Sequence, residues 1–155
     1  SRIAPHHFPD PSAFVREVAR TLKPGGTFAL VDNIAPDAES TPGFSDRDLA
    51  QAAVAYNDFE KRRDPSHGRC LGMAEWSDLI AAAGLQVMHK ERIPKDMEFG
   101  PWAVRLGADA PTVAGLRDTL AEASPALAAF LKPRTENGAL WFTLDEAILI
   151  ARKPA

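Results

Sequence analysis

One cysteine, Cys70, is all that this chain of 155 residues carries, which excludes an internal disulfide framework and suits a reducing compartment. No apolar run nears the ~20 residues that cross a bilayer as a helix. The first residues, SRIAPHHFPD, also lack the basic-then-apolar layout of a secretion signal, so a cytoplasmic protein is expected. Charge of one sign is missing as well: the net charge is -3 with Lys and Arg scattered, which leaves no basic footprint for nucleic acid. There is no repeat, no low-complexity tract and no glycine-rich loop of the kind that cradles phosphates. The four histidines, at positions 6, 7, 67 and 89, have no Cys or carboxylate company at ligand spacing, so no metal site is expected.

What remains is an ordinary globular composition, 45% hydrophobic and 25% charged, enough for one domain with its own core. FPDPSAFVREVARTLKPGG signals a helix: Asp10 suits the N-cap, Pro11 the first turn, and Phe14, Val15, Val18 and Leu22 share one face before Pro24, Gly25 and Gly26 end it. TFALVD then has the continuous apolar character of a strand covered on both faces. A helix is expected over 46–63, with Leu49, Ala53, Tyr56 and Glu60 on one side, and another opens at MAEWSDLIAAAG behind Gly72. LQVMHKERI alternates like a strand that Pro94 should stop. Short helical segments follow Phe99, Pro111 and Pro125, forming a helical cap over 99–132, and LWFTLDEAILIARKP supplies a closing strand.

Ligands of open α/β sheets sit beyond the carboxyl ends of the strands, so Asp32 and Asn33 stand where a site would be, although strand ends also use such residues as turn formers. An extended chain would point His6 and His7 apart. Tyr56, Asn57, Glu60, Arg63, Asp64 and His67 crowd polar groups into a short stretch. The plain alternative is a solvated helix end with Glu60 and Arg63 paired and Asp64 capping the turn. Arg105 is a further candidate, or else an exposed side chain lying over Trp102.

The run RIAPHHFPDPSAFVREVARTLKPGGTFALVDN resembles the middle of class I S-adenosylmethionine-dependent methyltransferases of the ubiquinone/menaquinone-biosynthesis C-methyltransferase-like group. The pattern is carried by Ala4, His6, His7 and Phe8, then Glu17, Arg20, Leu22, Lys23, Pro24, Gly25, Gly26 and Asp32. NDFEKRRDPSH, AEWSDLIAAAGL and ARKP look like later landmarks of the same group.

The resemblance implies an α/β, Rossmann-like fold, of which residues 1–155 form the C-terminal half, without the cofactor's glycine-rich loop or its ribose carboxylate. Three main strands are expected at 27–32, 86–92 and 145–152, with the last antiparallel between the other two. Arg2, Ala4 and His7 would border the methionine end of S-adenosylmethionine. Tyr56, Asn57, Arg105, Asp32 and Asn33 would line the pocket of a small-molecule methyl acceptor, with His67 or Glu60 as base. Alone, the chain would bind the cofactor weakly and transfer nothing. Its first strand would leave an edge that either pairs two copies or is covered by residues 1–8, and a self-associating or partner-binding half-domain is the alternative function.

Overall fold

The computed structural model describes residues 1–155. A 3-10 turn, Pro5–His7, precedes helix α1, Pro11–Thr21. Asp10 caps α1 by accepting the Ala13 N–H at 2.8 Å. Beyond its end, Gly25 takes φ +74°, a conformation that disfavours a side chain, and turns the chain into strand β1, Thr27–Asn33. Helix α2, Asp46–Arg63, starts on a Ser45 cap and buries Leu49, Ala52, Tyr56, Phe59 and Glu60 along one stripe. Helix α3, Met73–Ala82, ends before Gly84 and leads into strand β2, Gln86–Glu98. Three short helices follow: α4, Phe99–Val104, α5, Ala110–Ala121, and α6, Pro125–Leu131. A hairpin of β3, Arg134–Glu136, and β4, Ala139–Arg152, closes the order.

The sheet runs β1-β4-β2, with β4 antiparallel to both neighbours and β3 pairing the start of β4. This is the α/β arrangement expected, with four strands rather than three. The strand limits differ from those expected at two places. Pro94 does not stop β2, which continues to Glu98. The strand lies at the sheet edge, where a residue without an N–H removes no ladder bond on its free side. Strand β4 starts at Ala139, because Asn137 and Gly138, both at positive φ, make the tight turn of a hairpin.

The core has two parts. Val15, Ala19, Phe28, Leu30, Trp76, Ile80, Ala147, Leu149 and Ala151 bury α1 and α3 against β1 and β4. Tyr56, Phe59, Trp102, Leu116, Phe130, Phe142 and Leu144 bury α2, α4, α5 and α6 against the start of β4. The free edge of β1 is partly covered by the chain's own first residues. Ile3 N–H donates to Val31 O at 2.8 Å, Val31 N–H donates to Ser1 O at 2.9 Å, and Arg2 bridges Val31 in the parallel sense. Of the two outcomes expected for that edge, coverage by residues 1–8 is the one seen within the chain.

Candidate active site

Asp32 closes the inward-facing row of β1, following Phe28 and Leu30, and is 1% exposed at the strand's carboxyl end. A buried carboxylate needs donors. The 3-10 turn brings them: the His6 backbone N–H donates to Oδ2 at 2.8 Å, and His6 Nδ1 lies 2.6 Å from Oδ1. A carboxylate oxygen only accepts, so Nδ1 carries a proton, and whenever the ring is neutral its lone pair is on Nε2.

From the other side, α2 and the loop after it supply Tyr56, Asn57, Glu60 and His67. Gly68 and Arg69 both donate their backbone N–H to His6 O at 2.9 Å, which lays the loop along the turn. The rings of His6 and His67 then stack at 5.6 Å. Burial, reinforced by His6 and His7, pushes the His67 imidazole down from 6.5 to about 4, so it is neutral at ordinary pH. Its Nε2 lies 2.9 Å from Asn57 Oδ1. Tyr56 is fully buried with its hydroxyl 3.9 Å from Cys70 Sγ, and burial raises both groups well above their usual values.

Glu60, 2% exposed, faces Arg63 Nη2 at 3.2 Å through Oε2, while Oε1 and Arg63 Nε have no partner. Burial raises the Glu60 carboxyl, and the Arg63 charge only partly offsets it. Arg63 lies over the Trp102 ring at 4.6 Å, the place the sequence suggested for Arg105.

Of the residues singled out from the sequence, Asp32, Tyr56, Asn57, Glu60 and His67 therefore converge, joined by Arg63. Asn33, the next residue of β1, points to the opposite face, half-buried. Arg105 is exposed at the end of α4 and makes no side-chain hydrogen bond. Arg2 is exposed beside Val31, Ala4 is half-buried, and exposed His7 sets Nδ1 3.0 Å from Ser66 O. His6 is the residue that sequence reasoning passed over. The segment is not extended: Pro5 opens a 3-10 turn that places the two imidazoles 4.1 Å apart, His6 buried and His7 outside. Its signal was the His-His pair itself, one turn before a helix whose following strand ends in Asp.

The larger surface grooves lie elsewhere, one of about 460 Å³ between α2 and α5 around Asp58, Arg62 and Thr119. A smaller one of about 190 Å³ reaches Cys70 between Pro36, Ala53 and Gly72. No three His, Cys, Asp or Glu side chains form a metal-holding group, and no helix is long and apolar enough to cross a membrane.

The methyltransferase-domain family profile matches residues 1–30. The uncharacterized protein YafE of Escherichia coli (strain K12) is 31% identical over 157 residues, covering 100% of this chain and 68% of that protein. The uncharacterized methyltransferase YcgJ of Bacillus subtilis (strain 168) is 34% identical over 109 residues, 70% of this chain and 39% of its own length. A crystal structure of a candidate methyltransferase, BH2331, from Bacillus halodurans C-125 superposes with a TM-score of 0.83 at 32% identity, over 99% of this chain and 68% of that one. The crystal structure of YcgJ gives 0.79 at 30% identity, over 99% and 62%. The sequence match to YcgJ thus spans well under half of that relative, and the other matches span about two thirds of theirs.

Proposed function

This chain belongs to the class I S-adenosylmethionine-dependent methyltransferases, and from that premise we propose that it forms the acceptor side of a domain that methylates a small molecule. In this reading it is the C-terminal half of that domain and is inactive alone. The observation that carries the reading is the His6–Asp32 pair at the carboxyl end of β1, with His67 stacked beside it and Glu60 on the neighbouring helix.

The cofactor supplies an electrophilic methyl group on a sulfonium. The residues present fit only one border of it. Arg2, bridging Val31, and Ala4 and His7, in the turn that holds Asp32 through His6, are the residues this reading sets beside the methionine end. The positive-φ glycines, at 25, 43, 84, 107 and 138, serve turns rather than a phosphate-type or adenosine cradle. The chain's own contribution is to hold the acceptor, exclude water and take its proton at His6 Nε2, whose Nδ1 proton Asp32 keeps in place. Glu60, with its raised carboxyl, is the second base. Tyr56 and Asp32 remain acceptor-side residues of this reading, Asn57 acts on it through His67, Asn33 and Arg105 lie outside the cluster, and the helices over 99–132 are its cap.

Calorimetry of S-adenosylmethionine with this chain is expected to show no micromolar binding, and radiolabelled methyl transfer is expected to be absent. A micromolar affinity would sink the half-domain reading. A second reading, a self-associating or partner-binding module, is favoured by one feature. Ala29, Val31, Ile148 and Ile150 share a sheet face that no helix seals, Ala29 exposed and the others half-buried.

A further inference from the structure

Four hydrogen bonds use up the whole amide of Asn57. Nδ2 donates to Ala53 O at 2.9 Å and to Cys70 O at 3.2 Å. Oδ1 accepts the Cys70 backbone N–H at 2.7 Å and lies 2.9 Å from His67 Nε2. Backbone partners on both sides leave the amide one orientation, because the flipped one would set N–H against N–H and oxygen against oxygen. An acceptor therefore faces His67 Nε2. That nitrogen must carry the proton, and the neutral ring shows its lone pair at Nδ1.

Asp32 does the reverse for His6, holding a proton on Nδ1, so that the neutral ring has its lone pair at Nε2. Neither His6 Nε2 nor His67 Nδ1 is bonded within the chain, and neither is among the buried polar atoms sealed off without a partner. Two histidines in opposite tautomers thus stand side by side, each with a free acceptor.

We propose that Asn57 is a positioning residue that locks His67 in its Nε2-protonated tautomer, so that His67 Nδ1 and His6 Nε2 stand as two acceptors on the methyl-acceptor side, both open to an amine's two N–H donors and either one to a single hydroxyl. The proposal rests on reading this cluster as the acceptor site. A ligand group without a proton to give, such as a carboxylate, finds no complement at these two atoms. Asn57 itself has no donor or acceptor left for a substrate. The charged and titratable groups facing His67 are His6 and His7 from the turn, Asp64 from its own loop and Lys61 from α2. Burial, the two histidines and Lys61 keep its lone pair unprotonated at neutral pH, against the opposite pull of Asp64.

Long-range proton–nitrogen NMR spectra of the chain test this. At pH 7, His67 is expected to show a protonated Nε2 and a bare Nδ1, and His6 the opposite pattern. A His67 protonated at Nδ1 overturns the proposal. In Asn57→Asp a carboxylate replaces the amide oxygen as acceptor, so the His67 titration midpoint is expected to rise by about one unit or more. An unmoved midpoint in a variant whose unfolding transition matches the parent also overturns it. If that variant does not fold, the parent's tautomers still decide. Phenol, titrated as a plain hydroxyl donor, is expected to move the resonance of His6 Nε2 or of His67 Nδ1, and movement of neither overturns the acceptor pair. Failure of the methyltransferase reading would instead appear as absent methyl transfer in the longer protein with both tautomers intact.

Discussion

Asp32 grips His6 with both carboxylate oxygens, one on the backbone N–H at 2.8 Å and one on Nδ1 at 2.6 Å. The contact joins a strand end to a turn 26 residues earlier, and both partners are buried. Asp32→Ala leaves two donors without an acceptor and is expected to cost about 3 kcal/mol or more in urea unfolding. Asp32→Asn has one acceptor oxygen for two donors, so its expected cost is smaller, about 1–3 kcal/mol. A loss under half a kcal/mol for the alanine variant would show that the pair is not buried in solution.

Gly68 is the second fixed point. A Cβ there would stand 2.9 Å from the His6 carbonyl oxygen, a backbone atom that cannot swing away. Gly68→Ala is expected to push the loop off the turn, costing about 1–3 kcal/mol and separating the stacked imidazoles. Thermal unfolding and the His67 titration midpoint check this together, since a displaced His67 would titrate closer to 6.5.

The pH dependence has a definite sign. His67 is lowered from 6.5 to about 4, so the unfolded chain binds its proton first as pH falls. Its stabilisation is complete above about 6.5 and is lost as pH drops through 4, at most about 3 kcal/mol. Glu60, raised by burial, works the other way, contributing at low pH and fading as pH rises through its folded value. Urea midpoints at pH 7.5 and pH 4.5 are expected to show a smaller difference in His67→Gln than in the parent. Equal differences would mean that His67 is solvated.

At the edge of β1, Ile3 N–H is one of the bonds that keep the strand covered. Ile3→Pro removes that donor, and Ile3 has φ +47°, outside the range proline permits. The variant is expected to show faster amide exchange at Val31 and a rise in light scattering with concentration. Unchanged exchange would mean that the segment does not hold the edge.

Much of this architecture was legible because its signals are local. Asp10 with Pro11, Ser124 with Pro125, and the apolar runs of β1 and β4 each carry their own cap or pattern. The placement of β4 between β1 and β2 came from family resemblance, since no local pattern states which strands pair. The sequence reading missed the hairpin at Asn137–Gly138, whose turn chemistry was there to be used, and it stopped β2 at Pro94 because edge position is a property of the finished sheet. In the site, the helical stripe of α2 placed Tyr56 and Glu60 inward correctly. His6 was hidden because a turn of three residues carries too few positions for a periodicity, and its partner lies far along the chain.

Strands β1 and β2 touch each other nowhere in the sheet; both are joined only through residues 139–152. During synthesis, then, β1 must wait for more than a hundred further residues before it can be sealed on its inner side. Until they emerge from the ribosome, the half-made product has helices and loose strands but no sheet between β1 and β2. A nascent chain arrested before residue 139 is added would therefore be a chaperone client, and force-profile measurements would register the joining of β1 and β2 only once β4 has cleared the exit tunnel.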